Sequence, residues 1–174
     1  MGRLVIRRAV LPELRKFLED YPEPEEGGER RALSAHFEKL EERPEGRSEL
    51  SALVAEIENG GGRARVGFRT VIYPKDDNPY FGLVYAHPAY RRRNLSKVLN
   101  AAALRDAFDN KGANYVVGSF AADDRQTLES AKRAYEELGF KVSIRDRLFS
   151  MDRRQYDRSR EKHARLLDGV KLEI

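Results

Sequence analysis

Residues 81–96, FGLVYAHPAYRRRNLS, decide how the rest of the chain is read. Phe81, Leu83, Val84 and Tyr85 make an apolar, aromatic-rich run of the kind a buried strand needs. His87-Pro88 breaks that run, Arg91, Arg92 and Arg93 follow, and a helical pattern opens at Asn94-Leu95-Ser96. A strand ends, a loop turns, and a helix starts with its free backbone N–H groups directed back into the loop. Such a terminus attracts anions, because unpaired donors and the helix dipole act together there. Guanidinium forks on the approach suit phosphate oxygens. The stretch reads as a phosphate or pyrophosphate cradle, with a solvated basic loop as the plain alternative.

Working outward, Leu53, Ala55 and Ile57 alternate with Val54, Glu56 and Glu58, then Asn59-Gly60-Gly61-Gly62 forms a turn. Ala64, Val66, Phe68, Thr70 and Ile72 alternate in turn, so the segment is a β-hairpin whose Asn-Gly pair supplies positive φ. The turn PKDDNP, residues 74–79, leads into a third strand over residues 80–86. On the other side, Leu95, Val98, Leu99, Ala102 and Ala103 share a helix face that continues to Ala107 and Phe108 and stops near Lys111-Gly112. Tyr115-Val116-Val117 then begins a strand running towards Phe120. Strand, helix and strand in succession make the two strands parallel neighbours or near neighbours. The expected fold class is α/β of the α+β type: a mixed, mostly antiparallel sheet flanked by helices, with its parallel junction at the cradle.

The ends fit the same plan. Leu4-Val5-Ile6 is a short strand, and Pro12 opens a helix carrying Leu11, Leu14, Phe17 and Leu18. Residues 21–30, YPEPEEGGER, read as a loop, followed by an amphipathic segment with Leu33, Phe37 and Leu40 that ends by Pro44. Its His36 has a packing or surface role, with no second ligand or base nearby in sequence. Asp123 or Asp124 caps a later helix with Leu128, Ala131, Tyr135 and Leu138 on its apolar face, closed by a Gly139-Phe140 latch. Residues 141–144 and 147–151 form a final hairpin. The charged tail is helical around Tyr156, His163 and Leu166 and ends in a short strand, residues 170–174.

The 174 residues are expected to form a single domain, with an insertion around residues 21–50 and a charged extension over residues 152–174. A net charge of +4, from 33 basic against 29 acidic residues, points only weakly to an anionic partner. The chain has no cysteine, which excludes disulfides, thiolate zinc sites and a cysteine nucleophile. No metal-ligand spacing, no serine elbow and no P-loop occurs, and no apolar run resembles a leader or a membrane span. A cytoplasmic protein without a metal or a membrane association is the expectation.

Two motifs carry a resemblance. His87-Pro88-x-Tyr90-Arg91-x-x-Asn94-Leu95-Ser96 is similar to the (Q/R)-x-x-G-x-(G/A) signature of the GCN5-related N-acetyltransferases, the GNAT family. Arg91 matches its first position, Asn94 the first glycine and Ser96 the final small residue. Residues 134–140, AYEELGF, resemble the Y-E-K-L-G-F ending found further along in that family, while Leu128 stands where an Asn is common. The resemblance implies acetyl-CoA as co-substrate, lying between the third strand and the strand at Tyr115. Backbone groups of Val84, Tyr85 and Ala86 would pair with the pantetheine amides. N–H groups over Arg91, Arg92, Arg93, Asn94, Leu95, Ser96 and Lys97 would hold the pyrophosphate.

A neutral primary amine on a small molecule or protein would attack the thioester, a backbone N–H near Ala86 would steady the oxyanion, and Tyr135 would protonate the departing thiolate. On spacing alone Tyr135 reads as a core residue, and it is the resemblance that turns the reading towards a catalytic one. Glu56, Asp76 and Asp77 are candidate bases, each also readable as an ordinary surface carboxylate. The acceptor and the acyl length are unread, and a homodimer is left open. The alternative reading is a non-catalytic basic module on the same fold. It would dock RNA or ribosomes through Arg91, Arg92, Arg93 and the tail residues Arg153, Arg154, Arg158 and Arg160, although the sparse aromatics there argue against nucleic acid.

Overall fold

In the computed structural model the hairpin and the strand after it form the middle of one eight-stranded sheet. The structure describes residues 2–19, 34–35, 37–38, 48–91, 93–120 and 125–174. The loop at residues 21–30, Leu33, His36, Leu40, Pro44, Arg92, Asp123 and Asp124 lie outside the described residues. Strand β1 is Arg3–Ala9, β2 Ser48–Asn59, β3 Gly62–Pro74, β4 Tyr80–Ala86, β5 Tyr115–Ser119, β6 Lys141–Ser143, β7 Leu148–Asp152 and β8 Lys171–Glu173. Their order across the sheet is β6-β7-β5-β4-β3-β2-β1-β8. Helices are α1 Leu11–Glu19, α2 Leu95–Arg105, α3 Arg125–Glu137 and α4 Arg153–Leu166. The mixed, mostly antiparallel sheet flanked by helices is therefore present.

β2 and β3 are longer and drier than alternation alone suggests. Leu53 and Ala55 enter one core with α2, while Ala52 and Val54 enter the other with Leu14 and Phe17 of α1 and with Phe37. Both faces are covered, so each fully buried Leu, Val or Phe contributes about 1.5–3 kcal/mol. The hairpin turn lies where expected, but the positive φ falls on Gly62, at 140°, rather than on the Asn59-Gly60 pair. The terminal strand pairs in parallel with β1, Ile6 opposite Leu172, a long-range contact that no local pattern encodes.

Two irregularities shape the centre. β3 and β4 pair at Arg69–Val84 and again at Val71–Phe81, so Gly82 and Leu83 oppose the single residue Thr70. This is a β-bulge, which bends the strand and re-aims its side chains. Thr70 fills the break, its Oγ1 accepting from the Leu83 N–H at 2.9 Å. β4 then pairs in parallel with β5 only at Tyr80–Val117 and Phe81–Gly118. Gly118 is needed there, because a Cβ would come within 2.2 Å of the Phe149 ring. Beyond that point the two strands part.

α2 continues past Arg105 into a wider turn over Asp106–Asn110, where the Lys111 N–H reaches the Asp106 carbonyl at 2.9 Å. α4 starts on a capping box, with the Gln155 N–H on the Asp152 carboxylate at 2.7 Å and the Gln155 side chain accepting from the Asp152 N–H at 3.0 Å. Among the described residues no helix is long and apolar enough to cross a membrane.

Candidate active site

Where β4 leaves β5, a cavity of about 290 Å³ opens between the strands and two helices. Gly82, Leu83 and Val84 border it from β4, and Ser119 with Phe120 from the end of β5. α2 adds Ser96, Lys97 and Asn100, and α3 adds Ala131, Ala134 and Tyr135. Small residues on α3 keep that wall back from the gap. A second hollow of about 230 Å³ adjoins it, bordered by Asn94, Lys162 and Arg165 and sharing Lys97 and Leu138 with the first. A single trough thus runs from Tyr135 to the start of α2.

That start is open. Asn94 is left-handed, φ 58° and ψ 12°, the conformation a glycine adopts most readily and asparagine next. Its side chain makes no capping bond, and the first turn of α2 holds no acidic residue. Three or four N–H groups therefore face outward beside Lys97, whose ammonium is also bonded to Glu137. Deeper in the trough, the Asn100 amide donates to the Ser96 carbonyl at 2.9 Å, while its buried Oδ1 has no partner among the described residues. An unmet buried acceptor on that wall invites an N–H from a ligand.

Tyr135 is fixed by the end of α3. Gly139, at φ 92°, turns the chain back so that the Phe140 N–H reaches the Tyr135 carbonyl at 3.1 Å, as the Gly-cap pattern requires. Its ring stacks on Phe149 at 4.0 Å and meets the edge of Phe140 at 5.5 Å. The phenol oxygen accepts from Arg69 Nη1 at 3.4 Å. Arg69 and Asn100 are among the site residues that sequence reasoning missed, with Phe120, Lys162 and Arg165. Arg69 had a visible signal: Val71 and Tyr73 share its alternation, so its face of β3 is apolar as well.

The expected cofactor residues divide by position. Val84, Ser96 and Lys97 border the first cavity and Asn94 the adjoining hollow. The Tyr85 side chain goes to the opposite face of the sheet, stacked on Phe68 at 5.4 Å, so only its backbone is available to the gap. Leu95 is buried against the core. Arg91 lies back along the strand end, its Nε donating to the Ala86 carbonyl at 3.2 Å, and Arg93 covers the Tyr90 ring at 5.6 Å. Arg92 lies outside the described residues. His87 is positional: its Nδ1 accepts from the Ala89 N–H at 3.2 Å and caps the short turn Pro88–Tyr90.

The candidate bases do not border the cavity. Glu56 is buried in a 2.9 Å ion pair with Arg7, with Arg63 at 3.6 Å, and Asp77 accepts from the Asn78 N–H at 2.7 Å in the turn before β4. Asp76 is exposed in that same turn. Two of the tail arginines are also engaged, Arg153 and Arg160 both pairing with Asp109 at 3.6 and 3.3 Å.

No curated protein matches the sequence. Among solved structures, a GNAT-family acetyltransferase from Staphylococcus aureus Mu50 superposes with a TM-score of 0.59 at 14% identity, over 86% of this chain and 98% of that one. AtaTR bound with AcCoA gives 0.60 at 15% identity, over 90% and 98%. The spermidine/spermine N-acetyltransferase SpeG from Vibrio cholerae gives 0.57 at 14% identity, over 90% and 98%. At these identities the likeness speaks for the fold. The family model for the acetyltransferase (GNAT) family matches residues 11–140, most of the chain, and this protein belongs to that family.

Proposed function

We propose that the chain is an acetyl-CoA-dependent N-acetyltransferase that moves the acetyl group to a primary amine by direct attack on the thioester. The observation that carries this reading is the parting of β4 and β5 after Phe81–Gly118, with Tyr135 on the wall of the resulting cavity. The residues present fit acetyl-CoA. The free edge of β4 over Val84, Tyr85 and Ala86 offers main-chain groups to an extended arm, and the unmet Oδ1 of Asn100 offers an acceptor to one of its amides. The uncapped start of α2, from Asn94 to Lys97, offers N–H donors to a pyrophosphate, with Lys97, Lys162 and Arg165 supplying positive charge. A solved relative of the same fold holds AcCoA, and another is named for acetylating spermidine and spermine.

Acetyl-CoA supplies an acyl carbon already activated by its thioester. The chain binds and orients it, keeps water from the carbonyl with Phe120, Ala131 and Ala134, and gives the sulfur a proton from the Tyr135 hydroxyl. No carboxylate borders the cavity among the described residues, so the acceptor amine is expected to enter neutral or lose its proton through water. We assign the protein to a single domain of the cytoplasm on the same reading.

The test is turnover. Purified protein is mixed with acetyl-CoA and a panel of primary amines, and free thiol is followed. Tyr135→Phe is expected to lower kcat about 10²-fold, the low end of a general-acid contribution, and to leave acetyl-CoA affinity within about twofold. Unchanged kcat would return Tyr135 to the core.

A further inference from the structure

Arg69 is completely buried, at 0% exposure, although it carries a charge. Its guanidinium lies over the rings of Phe81 and Phe149, with Cζ 4.9 and 5.7 Å from their centroids. Its one hydrogen bond among the described residues goes from Nη1 to the Tyr135 oxygen. Among the described residues Nε and Nη2 have no partner, and no carboxylate pairs with the guanidinium. An arginine stays charged in proteins, and burying an ion without a counter-charge is costly. A methionine or leucine would fill the same space without that penalty. Two aromatic faces recover only part of the loss through cation–π contact.

A guanidinium only donates. The Tyr135 oxygen must therefore accept from Arg69, which leaves its own O–H free to donate elsewhere. Tyr135 also borders the cavity. We propose that Arg69 is a positioning residue: it aims the Tyr135 proton into the cavity and stabilises the phenolate left when that proton has gone. The inference rests on the acetyltransferase reading above.

In the step itself, the amine nitrogen bonds to the acyl carbon and the C–S bond breaks with its electron pair on sulfur. Tyr135 gives its proton to that sulfur. The proton shed by the nitrogen returns through solvent to the phenolate, so nothing is oxidised or reduced and no net proton is consumed. The counter-charge is in place beforehand, so little reorganisation accompanies the transfer. The 3.4 Å separation is long for a resting hydrogen bond and has room to shorten as charge develops on the oxygen.

The experiment compares the full-length wild type with Arg69→Met, Arg69→Lys, Tyr135→Phe and the Arg69→Met/Tyr135→Phe pair. Acetyl-CoA affinity is read by calorimetry, unfolding temperature by scanning, and kcat by thiol release with the same amine panel. Arg69→Met is expected to hold acetyl-CoA affinity within about twofold while kcat falls about 10- to 100-fold. It is also expected to unfold several degrees higher, because the unpaired charge is gone. The pair should lower kcat no further than Tyr135→Phe alone, since both substitutions remove one function. Arg69→Lys, which keeps the charge, should retain more kcat than Arg69→Met and stands in for it if the latter does not fold. Effects on kcat that multiply, or an Arg69→Met protein that melts lower with kcat intact, would overturn the assignment. A wild type that binds no acetyl-CoA would instead sink the acetyltransferase reading, and the melting comparison would still report on the unpaired charge.

Discussion

Two buried charges of this molecule are treated in opposite ways. Asp106, 1% exposed at the end of α2, accepts from Arg8 Nη2 at 2.5 Å, from the Tyr73 hydroxyl at 3.0 Å and from the Asn110 amide at 3.1 Å. Arg69, equally buried on β3, meets one phenol and two aromatic rings. The first arrangement ties α2 to β1 and β3, and burial together with the Asp106 charge pushes the Tyr73 phenol up, so that it keeps its proton. The second leaves a cation beside Tyr135 with no counter-charge among the described residues. A matched buried charge serves the scaffold; an unmatched one lowers stability and persists where chemistry uses it.

The comparison can be broken at the scaffold end first. Asp106→Ala strands the half-buried Tyr73 hydroxyl and releases Arg8 and the exposed Asn110 amide. With one unmet buried donor costing about 1–3 kcal/mol, a loss in that range is expected in chemical denaturation. A loss below about 0.5 kcal/mol, the range of ordinary surface substitutions, would remove the contrast with Arg69.

A smaller effect sharpens it. His163 of α4 is buried, bonds the Leu138 carbonyl through Nε2 at 2.8 Å, and has an unpartnered Nδ1 among the described residues. Burial holds its pKa below the usual 6.5, outweighing the bond to Leu138. The unfolded chain therefore binds a proton that the folded chain refuses, and stability falls as pH drops below 6.5. Because Leu138 borders both hollows of the trough, acid is expected to loosen the docking of α4 at that wall. Unfolding midpoints at pH 7.5 and 5.5 should differ more in wild type than in His163→Leu. Equal differences would show that His163 stays out of the acid response.

Much of this architecture was legible because its signals are local. The Pro-broken strand at residues 81–88, the glycine turn at residues 59–62 and the Gly139-Phe140 latch each fix a backbone course within a few residues. The Val84–Ala86 edge and the start of α2 followed from the same stretch. Arg69 did not, because alternation sets it on the face opposite Phe68 and Thr70, and nothing local says that this face is covered. What buries it is non-local: the bulge at Gly82-Leu83, the Phe149 ring crossing Gly118, and α3 above. Glu56 failed in the reverse sense. A carboxylate on an alternating strand suggested a reachable base, and Arg7 from a distant strand closes it off. β8 pairs with β1 across nearly the whole chain, and no periodicity in a three-residue strand reveals its partner.

The central claim is that the gap between β4 and β5 binds acetyl-CoA, and thermal unfolding with and without it tests that most directly. Ligand at a hundred times its dissociation constant adds about 2.7 kcal/mol, which for a chain of this size raises the midpoint by about 5–10 °C. The account predicts that rise with acetyl-CoA and a similar one with CoA, since the arm and pyrophosphate carry most of the contacts. An unchanged midpoint at millimolar acetyl-CoA would contradict it.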